Sequence, residues 1–201
     1  MKLVILDRDG TINVDRDDFV KSPDEWVPLP GALEAIARLN HAGWHAVVAT
    51  NQSGLARGRF DMAMLNEIHA RMNRELAAFG GRIDAVFFCP HGPDDGCRCR
   101  KPLPGLFESI AGRYGIDLAG VPMVGDSLRD LQAGAAAGCA PHFVRTGKAA
   151  GLDDRQVADM LAGVAGAEVH ADLGAFASAI IQGERLERGE APGLDSAFGT
   201  L

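Results

Sequence analysis

Two carboxylates one residue apart, Asp7 and Asp9, follow the apolar run Leu3-Val4-Ile5-Leu6. The stretch Asp7-Arg8-Asp9-Gly10-Thr11-Ile12-Asn13 can hold a divalent cation and present a nucleophilic oxygen. A carboxylate is a weak nucleophile in water. It attacks phosphorus when held in line and desolvated, with a cation between it and the phosphate's negative charge. Mg²⁺ takes an octahedron of oxygen ligands and keeps some waters. Asp7 and Asp126 can supply carboxylate oxygens, and the backbone of Asp9 a carbonyl. The side chain of Asp9 is then free to protonate a leaving alkoxide and later to deprotonate a water. Thr50 offers a hydroxyl and an N–H to phosphate oxygens, and Lys101 a point charge for the transition state. Each residue also has a plainer reading when taken alone. Asp126 in Gly125-Asp126-Ser127 reads as a helix N-cap, Thr50 and Asn51 as turn residues, and Lys101 as a solvated surface lysine. Jointly, in this order, those readings must all hold by coincidence.

A second cluster has softer ligands. Cys89-Pro90-His91 and Cys97-Arg98-Cys99 place four metal ligands within eleven residues. Three thiols and an imidazole match tetrahedral zinc, and a closed four-ligand site is structural rather than catalytic. Its task would be to fold the loop 92–98 and deliver Arg100 and Lys101. The alternative is a loop of buried cysteines with a satisfied histidine. Cys139 is too distant to belong and is expected to fill the core.

The elements that must position these groups follow from periodicity and punctuation. Strands are expected at 2–6, 44–49, 85–88, 121–124, 142–144 and, more weakly, 168–170. Helices are expected at 31–42, 61–79, 104–114, 128–137, 154–161 and 173–181. Such alternation argues for an α/β fold with a parallel sheet and helices on both faces. Ligands of such sheets sit beyond the C-terminal ends of the strands. Asp7, Thr50 and Asp126 each come just after or at the end of a predicted strand, so they are expected to converge on one crevice. Residues 1–182 read as a single domain with the zinc loop at 89–99, and 183–201 as a mobile tail.

Bulk composition narrows the function. The chain has 201 residues, 47% of them hydrophobic and 23% charged, the mix of an ordinary globule. A net charge of −7 argues against nucleic-acid binding but not against an anionic substrate, since a metal and local cations can reverse the sign in one cleft. No apolar run reaches membrane-spanning length, and the N-terminal one is too short for a secretory signal. A cytoplasmic protein with no membrane partner is expected, and a monomer.

The order D-x-D-G-T, then strand-end Thr, then Lys, then G-D resembles the haloacid-dehalogenase-like phosphatases over about residues 1–146. The resemblance implies a three-layer Rossmann-like sheet, and no insertion here is large enough for a cap domain. It also implies Mg²⁺ as cofactor, with Asp7 as nucleophile, Asp9 as general acid/base, Thr50 and Lys101 on phosphate, and Asp126 as the distal metal carboxylate. The Cys/His loop followed by Arg100-Lys101-Pro102 looks like the branch holding the heptose-bisphosphate and histidinol-phosphate phosphatases. Three stretches are closer to the former: D-R-D-G-T-I-N-V-D from Asp7, T-N-Q-S-G-L-A-R-G-R-F from Thr50, and R-K-P-L-P-G from Arg100. By that resemblance the substrate is a heptose 1,7-bisphosphate losing its C7 phosphate through an aspartyl-phosphate, in nucleotide-activated heptose synthesis. Histidinol phosphate is the alternative substrate. A non-catalytic relative is disfavoured because Asp7, Asp9, Thr50, Lys101 and Asp126 are all present. Residues implied to hold the sugar or its second phosphate are Asp15, Arg16, Asp17, Asp18, Asn51, Gln52, Ser53, Arg100 and Ser127.

Overall fold

The first strand, β1 (Lys2–Leu6), is buried along most of its length, and its alternate side chains feed two different cores. Val4 and Leu6 join one, Leu3 and Ile5 the other. Burial on both faces is why the run is apolar without alternation. The computed structural model, which describes residues 1–189, sets β1 between β2 (Trp44–Asn51) and β4 (Pro122–Gly125). With β3 (Ala85–Cys89), β5 (Ala140–Val144) and β6 (Glu168–His170) they form one parallel sheet in the order β3-β2-β1-β4-β5-β6.

Helices cover both faces. On one side lie α1 (Ala32–His41), α2 (Met62–Ala78) and α6 (Leu173–Glu187), which bring Ile36, Leu39, Ile68, Met72, Leu76 and Phe176 onto Val4, Leu6 and Val48. On the other lie α3 (Gly105–Tyr114), α4 (Leu128–Ala136) and α5 (Asp154–Leu161), with Phe107, Ile110, Ala133, Leu131 and Val157 against the sheet. Each such aliphatic or aromatic side chain contributes about 1.5–3 kcal/mol. Asp61, Asp153 and Asp172 cap α2, α5 and α6 by accepting from backbone N–H groups three residues on. Cys139 is buried in the second core, as expected.

The fold is the expected three-layer α/β sheet, with no large cap domain. Several element ends shift, most of them by a residue or two, and two of the shifts carry physical consequences. β2 runs two residues past the predicted end, because Thr50 and Asn51 pair with Phe88 and Cys89. Their plain turn reading falls with that. α6 continues to Glu187, beyond the expected helix end at 181 and domain end at 182. Ile180 and Ile181 pack on the core, and Lys2 Nζ meets Glu184 Oε2 at 2.8 Å, so the last helical turns have tertiary partners. The tail expected at 183–201 thus begins inside a helix, and its part from 190 lies outside the described residues. No helix among the described residues is long and apolar enough to cross a membrane.

Sheet order reverses between β1 and β4, the switch point where α/β sheets open a crevice. Leu6 pairs with Val124, so Asp7 and Asp126 leave adjacent strands almost side by side. The segment 14–28 folds back over this edge. Asn13 bridges Pro28, while Trp26 and Val20 are buried in the core and anchor it.

Candidate active site

Lys101 stands at the centre of the crevice and is 1% exposed. Its Nζ is 2.8 Å from Asp7 Oδ1 and 2.6 Å from Asp130 Oδ1, and it donates to Ala49 O at 2.7 Å. Burial works against its charge, but Asp130 and Asp7 outweigh burial and hold the ammonium above its usual range. Asp7 Oδ1 also accepts from Arg8 N at 2.7 Å. Burial, then Asp130, push the Asp7 carboxyl up to about 7, with Lys101 pulling the other way. Asp126 is pushed to about 8 by burial, then by Asp7 and Asp130.

Carboxylate oxygens of Asp7, Asp126 and Asp130 lie within 4.8 Å of one another. Three buried acids crowd beside one buried lysine that pairs with only two of them, Asp7 and Asp130, so full ionisation needs another cation. That crowding fits a hard divalent ion such as Mg²⁺. Asp126 is further enclosed by backbone. A Cβ on Gly10 (φ +84) would fall 2.2 Å from Asp126 Oδ2, and one on Gly147 (φ +53) 2.1 Å from it. Thr146 Oγ1 donates to Gly10 O and Lys148 N to Asp126 Oδ2, so the segment after β5 latches onto the β1 loop.

Asp9 faces elsewhere. Its Oδ1 accepts from Arg8 Nε, Arg8 Nη2 and Asn13 Nδ2, and its Oδ2 from Arg8 Nη2 and Gln52 Nε2. Burial raises its pKa, but Arg8, Asn13 and Gln52 together lower it below the ordinary carboxylate value. The Asp9 carboxylate is therefore outside the acidic cluster, as it should be if only its backbone carbonyl were a ligand. Arg8 in turn contacts His69 Nε2 at 3.1 Å. Burial, then Arg8, push that imidazole down to about 4.

Every residue singled out for the substrate reaches one cleft of 640 Å³, but several side chains are already engaged. Asn51 clamps the backbone of Lys101, donating to its O and accepting from its N, each at 3.0 Å. Gln52 spans Asp9 Oδ2 and Thr50 Oγ1. Ser127 is the N-cap of α4, and its Oγ donates to Asp130 Oδ2 at 2.5 Å. These three are expected to contact substrate and do line the cleft, and their side chains also hold Lys101, Asp9 and Asp130. The capping role that was the alternative reading of Asp126 thus falls to Ser127, and Asp126 lines the cleft. Asp15 pairs with Lys148, and Asp18 with Arg16 and Lys21. Lys21, then Arg16, lower Asp18 to about 2.

Arg8, Asp130, Arg129 and Lys148 are not among the sequence-derived candidates, and Arg57 and Arg59 enter only within the stretch from Thr50, although all but Arg8 line the cleft. The lining carries eight Lys or Arg against seven Asp, so a bound cation makes it locally positive despite the acidic chain.

The Cys/His loop assembles as a cluster. Cys89 Sγ is 3.7 Å from Cys97 Sγ, 3.3 Å from Cys99 Sγ and 3.6 Å from His91 Nδ1. His91 Nδ1 is 3.3 Å from Cys99 Sγ. The cysteines are free, since a disulfide needs a sulfur separation of about 2.05 Å. Zinc–ligand bonds of about 2.0–2.3 Å give tetrahedral edges of about 3.6–3.8 Å, close to this set. The loop is tied to the cleft by Arg100 Nη1 donating to His91 O at 3.2 Å, one residue before Lys101.

Comparison with known proteins gives concordant findings. A family model described as HAD-hydrolase-like matches residues 98–175. The chain is similar to the D-glycero-beta-D-manno-heptose-1,7-bisphosphate 7-phosphatase of Bordetella bronchiseptica, 70% identical over 147 residues that cover 73% of this chain and 82% of that one. It is 49% identical to the Pseudomonas aeruginosa protein of the same name over 180 residues, 90% of this chain and 98% of that one. Its fold is similar to a crystal structure of D,D-heptose 1,7-bisphosphate phosphatase from B. bronchiseptica complexed with magnesium and phosphate. There the TM-score is 0.85 and identity 61%, over 91% of this chain and 99% of that one.

Proposed function

Because the chain belongs to the D-glycero-beta-D-manno-heptose-1,7-bisphosphate 7-phosphatase family of HAD-like phosphatases, we propose that it removes the C7 phosphate of that sugar bisphosphate through a phosphoryl group carried on Asp7. The observation that carries the chemistry is the buried Asp7–Lys101–Asp130 array beside Asp126. The anomer named in the relatives supports β-heptose as the preferred form. The product fits a step towards nucleotide-activated heptose.

Asp7 Oδ1 is held by Lys101 and Arg8 N, which leaves Oδ2 to attack phosphorus. The new bond joins Asp7 to phosphorus, and the bond from phosphorus to the C7 oxygen breaks. Asp9, ionised in the free enzyme, takes a proton from solvent as substrate binds and gives that proton to the departing alkoxide. As a carboxylate it then takes a proton from water, whose oxygen displaces Asp7 and yields inorganic phosphate. The Arg8, Asn13 and Gln52 contacts favour the ionised form of Asp9, the form needed in this second half. Thr50 Oγ1 accepts from Gln52, so its own hydrogen is free for a phosphate oxygen. Lys101 supplies positive charge where the equatorial oxygens gather negative charge. Mg²⁺ held by Asp7, Asp126 and the Asp9 carbonyl would neutralise charge between the nucleophile and the phosphate. Arg100, with Arg57 and Arg59 of the same cleft lining, suits the second phosphate, whose binding positions the reacting one. Zinc in the Cys/His loop would be structural.

Borohydride reduction of enzyme quenched during turnover tests the central step. An acyl phosphate at Asp7 would be reduced to the alcohol, read as a mass change in the N-terminal peptide. Reduction at Asp9, or none at either residue, overturns the assignment.

A further inference from the structure

Away from the cleft, β5 and β6 bring three metal-ligating side chains to one place. His142 and Glu168 are register partners, and His170 lies two residues further along β6, so all three project from the same face of the sheet. His142 Nδ1 is 3.1 Å from His170 Nε2. Glu168 Oε2 is 3.8 Å from the first and 4.0 Å from the second. His142 is 4% exposed and the His170 side chain 9%, while Glu168 reaches in from solvent. Phe176 of α6 packs edge-on against both imidazoles, with centroids 4.9 and 5.5 Å away, and fixes their planes. None of the three lines the catalytic cleft.

We propose that His142, His170 and Glu168 form a second site for a borderline-soft divalent cation of the zinc type. A triangle with these three sides has its equidistant point about 2.1 Å from every corner, inside the zinc–nitrogen and zinc–carboxylate bond ranges. Three protein ligands leave a fourth position for water on the solvent side. Two imidazoles and a carboxylate favour zinc over Mg²⁺, which seeks oxygen throughout. Without a cation, one imidazole donates N–H to the other. That bond explains the nitrogen contact and leaves Glu168 outside it. With the cation bound, β6, a three-residue strand at the sheet edge, is clipped to β5 through side chains as well as backbone.

The test uses tag-free full-length protein with the Cys/His loop loaded and Mg²⁺ in excess. Zinc is titrated in, and bound metal is counted after gel filtration. The wild type should hold one zinc ion per chain more than His170→Gln, and Glu168→Gln should weaken that ion by about tenfold or more. Cys97→Ser should lose loop zinc and keep the added one. Equal zinc content in wild type and folded His170→Gln overturns the site. Should His170→Gln fail to fold, the imidazole ¹⁵N resonances of wild type decide. Shifts of both His142 and His170 on zinc addition support the site, and unmoved resonances overturn it.

Discussion

Lys101 touches two carboxylates and one carbonyl in a place nearly closed to water, and its neighbours carry the strain of that choice. Asp7 is the clearest case. Its carboxyl rises from the ordinary range to about 7, so the folded chain keeps a proton that the unfolded chain has already released. In Mg²⁺-free protein the stability this group contributes is therefore lost as pH climbs through that window. Asp7→Asn should melt at a higher temperature than the parent at pH 8 without Mg²⁺, while turnover falls by about 10³-fold or more. A lower melting temperature would count against the reading of a crowded, charged nucleophile. His69 runs with the opposite sign. Burial, then Arg8, move its pKa from 6.5 to about 4, so the unfolded chain binds the extra proton between those values. Stability should drop by about 1–2 kcal/mol from pH 7 to pH 5, after allowance for partial exposure. His69→Gln should flatten that slope in urea titrations at the two pH values.

At the scale of elements, the ends of β1, β2 and β4 place Asp7, Thr50 and Asp126, and these ends were legible because each apolar run stops at a polar residue. What escaped was the scaffolding between elements. Asn51 and Gln52 look like free polar groups in the chain, yet their partners Lys101 and Asp9 lie 50 and 43 residues away. Asp130 looks like an ordinary first-turn carboxylate of α4, a place where the helix dipole alone favours acid. Its pairing with Lys101 depends on α4 and the loop before α3 meeting across the sheet ends. Asn51→Ala should release the Lys101 backbone. Two lost hydrogen bonds cost about 1–3 kcal/mol of stability, and the looser ammonium about 10–100-fold in kcat. Steady-state kinetics beside thermal melts check this, and unchanged kcat would remove Asn51 from the positioning set. Stripping metal from the Cys/His loop should act through the same segment. Turnover should fall while the far-ultraviolet circular dichroism of the sheet and helices persists. Simultaneous loss of both would mean the loop holds up the core rather than Lys101.

The whole molecule combines an acidic chain with a cleft of nearly balanced charge. The chain as a whole carries a net −7, whereas Arg16, Arg57, Arg59, Arg100, Arg129 and Lys148 gather at one opening. The parallel sheet makes this possible, since every strand delivers its C-terminal loop to the same edge. Bulk charge therefore excluded little, while the alternation of strand and helix located the site. The helix end differs from the expected 181 because Gly183 and the charged residues after it look like a loop, although α6 continues through them to Glu187 against α1 and Lys2 of β1. Substrate choice is the property in which cleft, loops and metal all take part. Its most direct test is the initial rate of phosphate release with Mg²⁺ from the β-heptose 1,7-bisphosphate against histidinol phosphate, with ³¹P spectra identifying the ester that is cleaved. Preference for the heptose by about 10²-fold or more, worth about 2.7 kcal/mol, with heptose 1-phosphate as product, is the expected result. Equal rates, faster histidinol phosphate turnover, or loss of the C1 phosphate first would contradict it.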